Sequence, residues 1–290
     1  MPRALRKPSH AGSWYDAEKD VLQEKIDEWL STVKPVHSLV RAIIAPHAGY
    51  QYCGHVMAHA YRNINPAQVG RIFLLGPSHH FYSKACLLTS ASIFQTPLGP
   101  LEIDEEVCGA LRDTGQFEDV GIDDDEAEHS LELHTPYIAR VMAGRAFKLV
   151  PIMVGALSLE GELQYGRLLA PYLEDPANLF IISSDFCHWG NRFRYTLYDP
   201  GQGPIWQYVQ WLDEQGMKAI ETGKASAFAE YLQQYKNTIC GRHPIAVLLN
   251  MLDASNQEHV VKFTYYDQSS KCLLTSDSSV SYASAVVTKA

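Results

Sequence analysis

A chain of 290 residues, 46% hydrophobic and 20% charged, can bury a large core, and no linker-like stretch divides it, so we expect one domain over residues 1–290. A formal net charge of −9 with no basic stripe repels phosphate backbones and excludes nucleic acid as the expected partner. No apolar run is long enough to span a bilayer, and the basic N-terminus (Arg3, Arg6, Lys7) leads into no apolar stretch; we therefore expect neither membrane insertion nor a secretory leader, and a cytoplasmic or nuclear location.

In chain order, the first apolar run, Leu39–Ala45, closes on Pro46-His47-Ala48-Gly49-Tyr50. Helical spacing follows over Cys53–Asn63, then a second run, Arg71–Leu75, closes on Gly76-Pro77-Ser78-His79-His80. Helical patterns over Asp104–Thr114 and Ser130–Ala143 precede the run Phe147–Val154. Leu159–Leu173 reads as helix, and Asn178–Ile182 is another apolar run, closing on Ser183-Ser184-Asp185. Three more helical patterns, Ile205–Thr222, Ser226–Tyr235 and Pro244–Asp253, lead to late strands at Val260–Tyr266 and Val280–Val287, read as antiparallel additions. Near-continuous apolar runs of this length are strands covered on both faces. Alternation with helices predicts a three-layer α/β/α sandwich around a mixed, mostly parallel sheet.

In such folds the ligand site lies beyond the carboxyl ends of the strands. His47, His79, His80, Asp185 and His188 all fall just after a predicted strand. Imidazole is the commonest metal ligand, and histidines on separate loops can converge on one ion. Any one of them alone is more simply a structural histidine; three strand-end loops each carrying one point to a metal or catalytic centre.

Asp185-Phe186-Cys187-His188 places a carboxylate three residues before an imidazole. That suits a general base with its orienting partner, or an Asp that caps a turn. The six cysteines form no C-x-x-C pair and read as free thiols. Cys240 stands apart, because Cys240-Gly241-Arg242-His243-Pro244 opens a helix. The helix end and Arg242 would lower a thiol pKa there, which suits metal ligation or nucleophilic attack; a satisfied helix-start cysteine is the plainer alternative. His129 and His134 are five apart, so the Glu126–His134 segment is not an H-E-x-x-H zinc helix, and His129 and Glu132 are read as supporting or pocket-lining groups. Trp14, Tyr15, Tyr50, Phe186 and Trp189 crowd the same loops and could wall a pocket, with Arg192 available to an anion. No nucleotide-loop or serine-hydrolase motif is present.

Several segments are long enough to be specific: His10-Ala-Gly-Ser-Trp-Tyr15, Ile43-Ile-Ala-Pro-His-Ala-Gly-Tyr50, Leu75-Gly-Pro-Ser-His-His80, Glu128-His-Ser-Leu-Glu132, Ser183-Ser-Asp-Phe-Cys-His-Trp-Gly190 and Asn237-Thr-Ile-Cys-Gly-Arg-His-Pro244. From about residue 8 to the C-terminus the chain resembles the Memo family, mediators of ErbB-driven cell motility. The resemblance implies the fold of class III extradiol dioxygenases, non-haem iron enzymes that use two histidines and a carboxylate. Carried over, the histidine ligands fall on His47 and His79, and the acid–base histidine on His188, with Asp185 beside it. The third ligand falls on Cys240, so classical dioxygenase activity is not expected: a thiolate is softer, admits copper beside iron, and is itself oxidisable.

The resemblance further implies an iron or copper ion, redox roles, and partners among phosphotyrosine-containing signalling proteins and cytoskeletal regulators. Two other functions stand beside the redox-metal one. The first is a metal-independent phosphotyrosine-peptide adaptor using Trp14, Tyr15, Tyr50, His80, His129, Glu132, Phe186, Trp189 and Arg192. The second is a hydrolase with Cys240 as nucleophile.

Overall fold

A computed structural model describes residues 4–37 and 39–290; Arg3 of the basic N-terminal run lies outside them. Among these described residues the main sheet has nine strands: β1 (Val40–Ala45), β2 (Arg71–Pro77), β3 (Cys86–Thr89), β4 (Phe117–Val120), β5 (Lys148–Val154), β6 (Asn178–Ser183), β7 (His188–Trp189), β8 (His259–Gln268) and β9 (Ser279–Lys289). Their spatial order is β7-β9-β1-β6-β2-β5-β3-β4, with β8 also paired to β9. The central four, β1-β6-β2-β5, run parallel, and β9 lies antiparallel to β1, β7 and β8. β3 turns antiparallel to β5, so the sheet is mixed about a parallel centre.

The parallel strands are rich in Val, Ile, Leu and Phe because both of their faces are covered; Ala42–Ala45, Ile72–Leu75 and Leu179–Ile182 are buried without a break. Among the described residues ten α-helices accompany them: α1 (Lys19–Thr32), α2 (Tyr50–Tyr61), α3 (Glu105–Asp113), α4 (Ile122–Ala127), α5 (His129–Glu132), α6 (Thr135–Val141), α7 (Leu159–Glu174), α8 (Ile205–Glu221), α9 (Ala225–Tyr235) and α10 (Arg242–Ala254). α2, with α1 against it, packs on β1, β8 and β9, while α10 and α7 pack together and reach β2 and β6. Gly166 permits that last approach, because a Cβ there would stand 2.9 Å from the Asn250 carbonyl carbon. The result is the expected α/β/α sandwich.

Two expectations are corrected. The helix read over Ser130–Ala143 is two helices, α5 and α6, because Pro136 lacks an N–H and starts a new first turn. The N-terminal segment, to which the sequence reading assigns no element, contributes α1 and also Leu5–Arg6, which joins Ile93–Phe94 and Leu101–Glu102 in a separate three-stranded sheet. Among the described residues no helix is long and apolar enough to cross a membrane.

For the site, register matters most. Ala45 is level with Ser183, and Leu75 with Ile182, so the loops leaving β1, β6 and β2 emerge side by side.

Candidate metal centre

Those three loops bring together His47, Asp185 and His79, and the turn before α10 delivers Cys240 to the same place. The ligand atoms of His47, His79 and Cys240 all lie within 4.8 Å of one another. Ion-to-ligand distances of about 2.0–2.3 Å imply donor separations only slightly shorter, so a single ion fits with small side-chain adjustments. Two borderline nitrogens and one sulfur are a donor set for a transition metal rather than for magnesium or calcium.

Each imidazole is held so that it presents Nε2. His79 donates Nδ1–H to Glu128 Oε1 at 2.9 Å, and its backbone N–H goes to Glu128 Oε2 at 2.5 Å. A carboxylate can only accept, which fixes the tautomer and leaves Nε2 with its lone pair. Glu128 also caps α5 through Ser130 N–H. Burial pushes its carboxyl up, but the His79 hydrogen bond and charge outweigh that and hold it at about 2. His47 is 1% exposed; its Nδ1 lies 2.6 Å from Ser183 Oγ and its Nε2 3.2 Å from Cys240 Sγ. Burial drives the His47 pKa well below its ordinary value, so the ring is neutral and able to ligate.

Cys240 departs from expectation. Burial first, then the Asp185 charge, pushes its thiol well up, although backbone N–H groups of Asp185 and Gly241 act the other way. Arg242 is exposed and does not offset this. Without an ion, Cys240 is therefore a neutral thiol, 3.2 Å from His47 Nε2. A bound cation reverses the balance, because a coordinated thiol is deprotonated.

Asp185 also differs from expectation. Its Oδ1 accepts from His47 N–H at 2.8 Å instead of reaching His188, and burial raises its carboxyl to about 7. It shapes the His47 loop. His188 is oriented by carbonyls: Nδ1 sits 3.0 Å from Phe186 O and 3.1 Å from Thr238 O, so Nδ1 carries the proton and Nε2 is free. Burial lowers its pKa, and the charge of His79 adds to that.

The expected pocket residues separate into four groups. Trp14, His80 and His129 form the rim: Trp14 lies 4.5 Å from the His129 ring, which stacks on His79 at 4.4 Å, and the exposed His80 is 6.1 Å from His129. Tyr15, Tyr50 and Glu132 are interior. Tyr15 OH donates to Glu132 Oε1 at 2.9 Å and Tyr50 OH to Leu133 O at 2.7 Å. With Trp14, these two tyrosines border a hollow of about 610 Å³ between the N-terminal segment and α1, beside the cluster and not over it.

Phe186 and Trp189 are core residues, corrected from pocket wall: Phe186 meets Phe263 edge-on at 5.7 Å, and Trp189 donates to Leu197 O. Arg192 is exposed and lies over the Phe193 ring at 4.4 Å. Glu132 is fully buried in an ion network, taking Arg6 Nη1 at 2.8 Å and His10 Nδ1 at 3.0 Å.

A second grouping, His79, Glu128 and His129, also has donors within 4.8 Å of one another. Its two rings are nearly parallel, with an interplanar angle of 23°, so their in-plane lone pairs run side by side and do not converge on one ion. Glu128 instead serves the first cluster by fixing His79. Glu128, Ser183 and Thr238 were missed as functional positions, because only the fold brings them to the histidines.

Fold and cluster together define an α/β/α protein with a His-His-Cys metal-type centre at the carboxyl end of its parallel strands. A family model described as "Memo-like protein" matches residues 6–286. Protein MEMO1 of Homo sapiens is 49% identical over 288 residues, covering 98% of this chain and 97% of that one. Protein MEMO1 of Danio rerio is 50% identical over 283 residues, covering 96% and 95%, and Protein memo-1 homolog of Caenorhabditis elegans is 44% identical over 287, covering 97% and 82%. The chain belongs to the Memo-like family.

Proposed function

We propose that this protein holds one redox-active ion, iron or copper, between His47, His79 and Cys240, and that its metal chemistry serves cell-motility and cytoskeletal signalling. The observation that carries the reading is convergence: two histidines on different strand ends, each with Nδ1 already engaged, turn Nε2 toward one sulfur. A bound ion of this kind supplies one-electron chemistry and open coordination positions. The chain's own residues do the rest. Glu128 fixes His79, Asp185 holds the His47 loop, and His188 keeps an unprotonated Nε2 available as a base. Sulfur in place of a carboxylate argues against ring cleavage. The partners we propose are the phosphotyrosine-containing signalling proteins and cytoskeletal regulators that the family resemblance implies; Arg192 against Phe193 offers nothing that favours a metal-independent phosphopeptide site over this reading.

Elemental analysis of protein expressed with iron or copper tests the reading. Wild type and His188→Gln are expected to carry about one ion per chain, because His188 is not a ligand, while His47→Ala and Cys240→Ser carry none. Unchanged metal content in both ligand variants would overturn it.

A further inference from the structure

Behind His47, away from the ion, lies a buried junction that the metal reading does not by itself require. Ser183 Oγ is 2.6 Å from His47 Nδ1, 3.0 Å from His134 Nε2 and 2.7 Å from Ser130 O. His134 Nδ1 in turn is 2.8 Å from Tyr61 OH. His47, Ser183, His134 and Tyr61 are each at most 1% exposed, so water cannot supply a missing partner.

One proton arrangement satisfies every group. The Ser130 carbonyl can only accept, so the single Ser183 hydroxyl proton points to it. The two remaining lone pairs of that oxygen then face imidazole nitrogens, both of which must be N–H donors. His47 is thereby protonated on Nδ1, and His134 on Nε2; His134 Nδ1 is left as an acceptor for the Tyr61 hydroxyl. Any other assignment sets lone pair against lone pair at 2.6–3.0 Å inside the protein.

We propose that Ser183 is a positioning residue that fixes the tautomer of His47, presenting the Nε2 lone pair to the metal, while Ser130 and the His134–Tyr61 pair fix the direction of the Ser183 hydroxyl. This role rests on the metal reading for its purpose, though not for its geometry. The two ligand histidines then reach the same state by different means: His79 through the Glu128 carboxylate, His47 through a neutral hydroxyl that is itself doubly anchored. Without the hydroxyl, a buried His47 Nδ1–H has no acceptor. The ring then favours the Nε2–H tautomer, which can donate to Cys240 Sγ and hides the ligand lone pair.

The test begins on metal-free wild type, with long-range ¹H–¹⁵N correlation of histidine-labelled protein. His47 is expected as the Nδ1–H tautomer; Nε2–H would overturn the proposal without any variant. Ser183→Ala is expected to shift His47 to Nε2–H and to weaken Cu(I) binding, read by competition with a chromogenic chelator, about 10–100-fold. Ser183→Thr, which keeps the hydroxyl, is expected to retain the wild-type tautomer and to recover most of the affinity, with thermal denaturation of both variants reporting any loss of fold. A Ser183→Ala protein with the Nδ1–H tautomer and wild-type affinity would refute the assignment. Wild type that shows Nδ1–H at His47 yet binds neither Cu(I) nor Fe(II) would defeat the metal reading and leave the tautomer assignment standing.

Discussion

Replacing Arg6 with leucine should cost this protein far more than a surface arginine would. Arg6 is 1% exposed and its guanidinium donates to five acceptor atoms: Nε to Asp125 Oδ1 and Nη1 to Glu132 Oε2, both at 2.8 Å, Nη1 also to Lys7 O at 3.1 Å, and Nη2 to the carbonyls of Asp125 and Glu128 at 2.7 and 2.8 Å. Asp125 and Glu132 are 1% and 0% exposed, so leucine leaves two buried carboxylates without their cation. Breaking such a group costs about 3–5 kcal/mol, most of it the stranded charge. At roughly 2–4 °C per kcal/mol for a chain of this size, Tm should fall by about 6–20 °C.

The pH dependence gives a second handle. Burial already holds the Asp125 carboxyl above its ordinary value despite Arg6, and losing Arg6 raises it further. A carboxyl raised in the fold takes up a proton more readily there than in the unfolded chain. The deficit should therefore shrink as pH falls from about 7 to 5. Urea unfolding of wild type and Arg6→Leu at both pH values reads both effects. A loss below about 1 kcal/mol, the scale of an exposed pair, would refute the claim that this network is a buried structural charge cluster.

Three further outcomes are expected. Metal-free wild type should lose stability relative to His129→Gln as pH falls below about 6.5: His129 is held down to about 3, mainly by burial, so the unfolded chain protonates while the native one does not. One such group amounts to about 2 kcal/mol at pH 5, and taking the difference from the variant cancels the opposite contribution of the raised Asp185 and Asp213 carboxyls; a difference in urea unfolding free energy that stays constant between pH 7.5 and 5 would contradict it. Gly241→Ala should abolish metal binding and lower Tm, because the added methyl would stand 2.5 Å from the Ser183 carbonyl oxygen, a backbone atom beside the cluster; unchanged metal stoichiometry would refute the claimed tightness of that turn. Glu128→Ala removes the acceptor that fixes His79, and chelator competition should show iron or copper affinity lower by about 10–100-fold, with wild-type affinity counting against its role.

Much of this was readable from residue patterns. The parallel strands announce themselves because, covered on both faces, they have little reason to carry polar side chains; the run Asn178–Ile182 is β6 almost to the residue. Strand β4 did not, since Phe117-Glu-Asp-Val120 exposes its two middle residues and carries charge there, and β3, though buried, is only four residues long. Helix α1 was missed for a related reason: only Leu22 and Ile26 are buried, and charge dominates the rest. At the site, His47, His79 and Cys240 were legible because strand ends and a helix start are places where the chain can aim a side chain inward. What they touch was not. Glu128 lies 49 residues from His79 and Ser183 lies 136 from His47, so each pairing exists only once β1, β6 and β2 align. The Asp185–His188 pairing failed because closeness in sequence is no guide at a strand end, where Asp185 turns back to the His47 amide.

Crystals grown with Fe(II) or Cu(I) and measured on both sides of the metal absorption edge put the central question directly. An anomalous peak bounded by His47 Nε2, His79 Nε2 and Cys240 Sγ is the predicted result. A fully loaded crystal whose peak lies elsewhere, with Cys240 still a thiol against His47, would contradict the account.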